Sequence, residues 1–256
     1  MKNWKTSLLT ISAVLGSYFT HAQTQGTQTQ GTQTQAQGAQ PSNGRNFALP
    51  PVAANAEQID RNGISLIFES NDADFDANLK ARMIDTYFLI YPKLTGTYNA
   101  ESIKTVRFSI DTAYKGVAAA SRGRIVYSPV WFKQKPEDID VVTHELMHIV
   151  QNYGRSVAPG WLTEGIADYV RFKFGIDNAG AKWSLPDLKA DHHYSKSYRI
   201  TARFLVWIEQ NYQADLVKTL DKSIRDRSYT EAIWETQTGK TLDALWEAYV
   251  ANPTLK

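Results

Sequence analysis

Two histidines and a glutamate stand close together in the segment DVVTHELMHIVQ, residues 140–151. His144 and His148 are four residues apart, so on a helix their imidazole rings lie one above the other on a single face. Two ring nitrogens in that arrangement can reach one tetrahedral metal ion at about 2.0–2.1 Å each. Glu145 is offset from His144 by about 100° around the helix axis, which lets it contact a water at the metal. The His-Glu-x-x-His pattern therefore predicts a zinc site with Glu145 as its general base.

A zinc ion bound by two histidines needs a third protein ligand. The segment GWLTEGIADYVRFKFG, residues 160–175, offers Glu164 and Asp168, four residues apart. Without the histidines, these carboxylates would indicate only a solvated helix face. Beside them, Glu164 is the predicted third ligand, and Asp168 is predicted to accept the second ring N–H of a zinc histidine, with His144 as the first choice.

Three segments also resemble a known family. HELMHIVQNYG, GWLTEGIADYVRFKFG and SYRITARFLVWIE are similar to blocks of the plant-type basic secretory proteins and their bacterial relatives, which are regarded as zincin-type metallopeptidases. The resemblance covers about residues 60–250. It implies a zincin-like fold and a gluzincin-like site, with one zinc ion held by His144, His148 and Glu164 and with Glu145 as the catalytic base.

Peptide hydrolysis also needs a donor for the oxyanion of the tetrahedral intermediate. Tyr198 is the first candidate, because the segment KSYRITARFLVW around it resembles a family block. His192 and His193 compete for the role, and Tyr198 could equally be an ordinary aromatic residue. Upstream, residues 124–128 are a candidate rail for an extended peptide if their strand forms the edge of the sheet.

Strand-like segments precede helix-like ones. Apolar and β-branched runs predict strands at 63–70, 103–111 and 123–129, with a helix over about 74–94. The run DADFDAN before that helix lacks the Gly and Glu of a calcium loop, so it predicts a helix N-cap.

After Pro136 the chain is predicted to be almost wholly helical. Pro136 at the first helical position and Gly154 beyond the last turn bound the histidine helix. The five predicted helices cover residues 136–153, 161–174, 196–212, 214–226 and 241–251. This order predicts an α+β fold, with a small mixed sheet first, a mainly helical part after it, and the active-site helix at the junction.

The N-terminal residues differ from the rest in composition. Residues 1–22 combine two lysines, a short apolar run and small residues before Gln23, which predicts a cleaved secretory signal peptide. Residues 23–45 form a Gln/Thr/Gly-rich repeat, which predicts a disordered linker. We expect residues 46–256 to form the metallopeptidase domain, secreted or periplasmic, without stable membrane insertion after signal cleavage.

Charge and cysteine content exclude several classes of function. Without Lys2 and Lys5 the 28 basic residues become 26, equal to the 26 acidic residues. No basic stripe is present, so we expect no nucleic-acid partner. The chain has no cysteine, which excludes disulfides and thiol chemistry.

Three functions fit these observations. The first is a monomeric zinc metallopeptidase that acts on peptides or proteins. The second is a zinc-containing but inactive binding module for cell-wall or glycoprotein ligands, and the third is a different hydrolase with the same zinc chemistry. The presence of Glu145 favours an enzyme, because a structural zinc site needs no base beside it.

Overall fold

The computed structural model describes residues 50–256, so the predicted signal peptide and linker lie outside the described residues. Five strands and eight α-helices are present in this range. In chain order they are β1 (Glu57–Arg61), β2 (Ile64–Ser70), α1 (Ala77–Tyr98), β3 (Thr105–Ile110), β4 (Ala118–Ser121), β5 (Arg124–Tyr127), α2 (Pro129–Gln134), α3 (Val141–Gln151), α4 (Gly160–Phe174), α5 (Tyr198–Asn211), α6 (Leu216–Arg225), α7 (Ala232–Thr238) and α8 (Leu242–Ala251). A 3-10 turn, Tyr194–Lys196, precedes α5.

The strands form one mixed sheet in the order β1-β2-β3-β5-β4. The three central strands are parallel, and each outer strand pairs antiparallel with its neighbour. The predicted α+β architecture is therefore confirmed, with the sheet in the N-terminal part and α3 at its junction with the helical part. The strand interpretation of residues 124–128 as a sheet edge is wrong, because β5 lies between β3 and β4, and β4 is the edge strand that contacts α3.

One face of the sheet packs against α1. Alternate residues of the strands point to this face, and Phe108 meets Tyr87 of α1 with ring centroids 5.7 Å apart. Asp76 caps the N-terminus of helix α1, and its carboxylate accepts the N–H of Leu79 at 2.7 Å. The N-cap prediction for this aspartate run is confirmed.

Helix α3 lies between α1 and α4 and is buried on nearly all sides. Ten of its eleven residues are buried, and only His148 is partly exposed. Helices α5 and α8 pack behind α4, where Phe204 and Trp246 have ring centroids 5.1 Å apart. The described residues contain no helix that is both long and apolar enough to cross a membrane.

Both predicted ends of the histidine helix need correction. It begins at Val141, and Pro136 lies in the loop before it. The carboxylate of Asp140 accepts the backbone N–H groups of Ile176 and Asp177 at 2.8 and 2.6 Å, so a contact with a distant segment fixes this end. At the other end Asn152, with φ of 41°, takes the left-handed position that the sequence assigned to Gly154.

Candidate metal centre

The candidate metal centre lies between α3 and α4. His144 and His148 occupy successive turns of α3, and Glu164 lies on the second turn of α4. The structure thus brings the three predicted zinc ligands together. Asp168 lies one turn beyond Glu164 and is fully buried.

A glycine allows α4 to approach the helix that follows it. A β-carbon added to Gly165 would lie 2.2 Å from Cγ2 of Thr201 on α5, which is far inside van der Waals contact. Gly165 therefore permits the close packing that brings the start of α5, with Tyr198, to the candidate centre. The segment TEGIAD supplies a ligand, this close contact and a carboxylate that supports a ligand.

The three ligand atoms form a nearly equilateral triangle. Nε2 of His144 lies 3.1 Å from Nε2 of His148, and Oε2 of Glu164 lies 3.3 and 3.4 Å from these two nitrogens. A tetrahedral ion with bonds of about 2.0–2.1 Å separates its ligand atoms by about 3.3 Å. These distances exceed the 2.7–2.9 Å that is typical of charge-assisted hydrogen bonds. The triangle therefore has the dimensions of a tetrahedral metal site.

The other ring nitrogen of each histidine contacts a buried acceptor. Nδ1 of His144 lies 2.7 Å from Oδ1 of Asp168, and Nδ1 of His148 lies 2.7 Å from Oε1 of Gln151. The orientation of the Gln151 amide is fixed, because its Nε2 donates to the carbonyl of Thr163 at 3.0 Å. Each Nδ1 therefore carries the proton when the ring is neutral, and each Nε2 presents a lone pair.

Three acceptors then converge on one point. The lone pairs of two Nε2 atoms and a carboxylate oxygen repel one another unless a cation lies between them. Two histidines and one carboxylate are a ligand set that catalytic zinc uses. The residues present therefore fit a zinc ion in both chemistry and spacing.

The pKa values of the two histidines reflect the same negative surroundings. Burial by itself lowers the pKa of His144, but the hydrogen bond and charge of Asp168, followed by the contact with Glu164 and the charge of Glu145, raise it to about 10. For His148, burial again lowers the pKa, and the charge of Glu164 outweighs it and raises the pKa. The site thus favours positive charge at its centre.

Glu164 and Glu145 have opposite pKa shifts. Burial raises the pKa of Glu164, but the positive charge of protonated His148, together with the close approach of both protonated rings, holds it well below its usual range. Burial also raises the pKa of Glu145, and here the two histidines offset it only in part. Glu164 is therefore held as a carboxylate ligand, whereas the shift of Glu145 is in the direction that suits a general base working near neutral pH.

Glu145 lies beside the triangle and is not part of it. Its side chain is buried, and its Oε2 has no hydrogen-bond partner among the described residues. A buried carboxylate oxygen of this kind is costly unless another group or a water contacts it. Glu145 is therefore available to bind a proton at the edge of the centre.

Tyr198 lies against the first histidine. Its ring stacks on that of His144 with centroids 6.2 Å apart and an interplanar angle of 20°. Both Ser197 and Tyr198 have positive φ, 67° and 53°, and such conformations cost about 1–3 kcal/mol each in non-glycine residues. Burial, and then the charge of Glu164, raise the pKa of Tyr198, so its phenol stays protonated and can donate a hydrogen bond.

The competing histidines have other neighbours. The ring of His193 packs against Tyr194 and Trp246 at centroid distances of 4.1 and 5.5 Å, and its Nδ1 lies 2.8 Å from Oγ of Ser195. His192 has a pKa lowered mainly by burial. Of the three predicted oxyanion donors, Tyr198 is the one with a described contact to a ligand residue.

Sequence reasoning missed two residues at this centre. Gln151 accepts a hydrogen bond from His148, as Asp168 does from His144. The only sequence signal for this role was the position of Gln151, three residues after His148 on the same helix face. Tyr127 of β5 has a buried hydroxyl without a hydrogen-bond partner among the described residues. Burial, and then the charge of nearby Glu145, raise the pKa of Tyr127 well above its usual value.

A site of two helix-borne histidines and a glutamate, beside a further glutamate, is of the type that zinc hydrolases use. The model of the BSP family, described as peptidase of plants and bacteria, matches residues 66–249. The chain therefore belongs to this family, and the predicted family resemblance is confirmed. A search of curated proteins found no match.

Solved structures give a weaker likeness. An M1 zinc metallopeptidase from Deinococcus radiodurans is 14% identical, with a TM-score of 0.46. A mutant of an M1 zinc metallopeptidase from the same organism, bound to a Tyr-Ser-Ala substrate, is 15% identical with a TM-score of 0.45. Each match covers 78% of this chain but only 52% of the other, so the chain spans about half the length of these structures. The TM-scores lie below 0.5, and the family assignment depends on the sequence match alone.

Proposed function

We propose that this protein is a zinc-dependent metallopeptidase that hydrolyses peptide bonds. The observation that carries the proposal is the convergence of three acceptors, from His144, His148 and Glu164, at the spacing of one tetrahedral zinc ion. Membership of a peptidase family supports peptide or protein as the substrate. When bound, zinc supplies a Lewis acid that polarises a carbonyl and acidifies water.

The residues of the chain have separate roles in the proposed reaction. Glu145 accepts a proton from the attacking water and returns it to the leaving amine. Tyr198 donates a hydrogen bond to the oxyanion that forms from the peptide carbonyl. Asp168 and Gln151 keep the two histidine rings in the tautomer that directs Nε2 to the centre.

The edge of the sheet is the proposed place for the peptide backbone. Strand β4, Ala118–Ser121, is the edge strand and contacts α3. An extended peptide can add to such an edge through main-chain hydrogen bonds. We infer that β4 has the role that the sequence assigned to residues 124–128.

Zinc-dependent cleavage of peptides tests the proposed function. The full chain is incubated with a mixture of defined peptides, and new termini are identified by mass spectrometry. We expect cleavage that stops when a chelator removes the metal and returns when one equivalent of zinc is added. Bound zinc without cleavage of any peptide would favour the inactive binding module, and cleavage that survives complete metal removal would contradict the proposal.

We also propose that the protein is exported. The proposal depends on residues 1–22, whose pattern is that of a signal peptide. N-terminal sequencing of the protein from culture medium and from periplasmic extract should give a first residue of Gln23. Recovery of the protein only from the cytoplasm, with Met1 retained, would contradict export.

A further inference from the structure

A second concave site, which we call the aromatic pocket, lies beside the candidate metal centre. Its volume is about 440 Å³, within the range of sites that bind small ligands. Three aromatic residues line it together with aliphatic residues and one carboxylate. Those that matter here are Trp161, Tyr194, Tyr229, Leu242 and Glu231.

Two segments connect the aromatic pocket with the metal centre. Trp161 precedes Glu164 by three residues on α4, so the two side chains are neighbours on one helix face, about 5–6 Å apart at Cβ. Tyr194 precedes Tyr198 by four residues, and its ring lies 5.0 Å from that of Trp161 between centroids. A peptide whose carbonyl reaches the metal centre can therefore place a nearby side chain in the pocket.

The hydroxyl groups of the two tyrosines already make hydrogen bonds within the chain. The hydroxyl of Tyr194 donates to Oδ1 of Asp243 at 2.7 Å. The hydroxyl of Tyr229 accepts from Nε1 of Trp234 at 3.2 Å. The face of an aromatic ring has a negative electrostatic potential that attracts cations, and the ring of Trp attracts them most strongly.

The charge of the aromatic pocket is negative. Glu231 is the one charged residue among the described residues that line it, and it is exposed and makes no ion pair within the described part of the chain. Asp243 adds a second carboxylate, at the hydroxyl of Tyr194. Burial, then the hydrogen bond with Asp243, and then the charges of Asp243 and Glu231, raise the pKa of Tyr194 to about 12, which is consistent with a negative potential at this wall.

We propose that the aromatic pocket binds a lysine or arginine side chain of the peptide substrate, close to the bond that is cleaved. The aliphatic stem of such a side chain packs against Leu242 and Trp161, and its cationic end meets the aromatic faces and Glu231. A phenylalanine or leucine side chain would bury the same walls but leave Glu231 without a partner. The proposal rests on the proposed peptidase function, because it identifies a substrate class for that site.

A set of matched peptides tests the proposal. The peptides differ at one position and carry arginine, lysine, norleucine, phenylalanine or glutamate there, and kcat/KM is measured with the full chain. We expect arginine or lysine, at one position near the cleaved bond, to be preferred over norleucine by about tenfold. Glu231→Gln should reduce this preference by about three- to fivefold. The matched control is Glu101→Gln, which removes an exposed carboxylate from the loop after α1 and should change neither rate.

A binding measurement separates this inference from the proposed function. Titration with Nα-acetyl-arginine amide and Nα-acetyl-norleucine amide, followed through the indole N–H signal of Trp161 by NMR, needs no catalysis. Tighter binding of the arginine compound that weakens in Glu231→Gln supports the pocket, even if no peptide is cleaved and the proposed function fails. Equal binding of the two compounds, or an arginine preference that Glu231→Gln leaves intact, would overturn the inference. A preference of the enzyme for phenylalanine in the peptide set would also overturn it.

Discussion

Two of the buried polar clusters, one beside the residues that follow α3 and one on α3 itself, differ in how donors and acceptors are matched. In the first, the Asp221 cluster, Tyr153 donates to Oδ1 of Asp221 at 2.8 Å, and Arg225 donates both to Oδ2 of Asp221 and to the carbonyl of Tyr98. Each buried acceptor meets a donor from the chain itself. In the second, the metal centre, Nε2 of His144, Nε2 of His148 and Oε2 of Glu164 face one another.

This difference separates a structural cluster from a functional one. The Asp221 cluster is complete within the chain and ties α6 to the end of α3 and to Tyr98. With neutral histidines, the candidate metal centre presents three acceptors that no donor of the chain satisfies, so a cation is needed among them. Glu145 adds a buried oxygen without a partner in the described part of the chain. Changes at the metal centre should therefore alter metal binding and catalysis, whereas changes in the Asp221 cluster should alter stability.

Removal of the Glu145 carboxylate should have the largest effect on the reaction. Glu145→Gln keeps the shape of the side chain but abolishes its basicity, so kcat should fall by about 10²–10⁴-fold. Zinc content should stay at the wild-type value, because Glu145 lies outside the ligand triangle. The melting temperature should not fall, since the change removes a buried charge. Retention of more than a tenth of the wild-type kcat would show that another group is the base, and Glu101→Gln is the matched control.

Loss of the Tyr198 hydroxyl should have the second largest effect. Tyr198→Phe keeps the ring that stacks on His144 and removes only the donor. If the hydroxyl stabilises the oxyanion, kcat should fall by about 10²-fold while KM and zinc content change little. An unchanged kcat in steady-state assays would show that Tyr198 only packs against His144. It would favour His192 or His193 as the oxyanion donor.

Gln151 should affect metal affinity more than the chemical step. Gln151→Leu leaves Nδ1 of His148 without its acceptor, so the affinity for zinc should fall by about 10–100-fold in a competition titration. Gln151→Glu restores an acceptor for His148, although it cannot donate to the carbonyl of Thr163, and it should recover part of the loss. Equal affinities for the wild type and Gln151→Leu would contradict a positioning role.

The sequence predicts the metal-binding residues better than it predicts the residues and contacts that position them. His144 and His148 follow from helical spacing, because residues four apart share a face in any helix, and Glu145 follows from its offset of about 100° from His144. Tyr127 could not be assigned in this way, since its position near Glu145 depends on where β5 packs against α3. The start of α3 was also out of reach, because it is set by Asp140 through a segment 36 residues away. Strand β1 was missed because EQIDR is mostly exposed, and strand β4 because AAAS contains no β-branched or aromatic residue.

Changes in the Asp221 cluster should have the smallest effect on the reaction, because they alter only the stability of the fold. Burial raises the pKa of Asp221 from 3.8 to about 6, in spite of Arg225. The folded state therefore binds this proton more tightly than the unfolded state, and stability falls as pH rises from about 4 through 6. The shift corresponds to a change on the order of 3 kcal/mol.

Denaturant unfolding of the wild type and Asp221→Asn at several pH values measures this effect. The variant should lack the part of the pH dependence that lies between pH 4 and 7, and its kcat should equal that of the wild type. Parallel stability curves for the two proteins would show that Asp221 does not titrate in this range. A large loss of kcat would contradict the separation of the two clusters.

The number of zinc ions bound per chain tests the central claim most directly. The full chain is freed of metal, titrated with zinc against a competing chelator, and compared with His144→Asn, Glu164→Ala and Glu145→Gln. The convergence of three acceptors predicts one tightly bound zinc ion in the wild type and in Glu145→Gln, and loss of that ion in the other two variants. A wild-type chain that binds no zinc, or that binds it equally well without His144 and Glu164, would contradict the account.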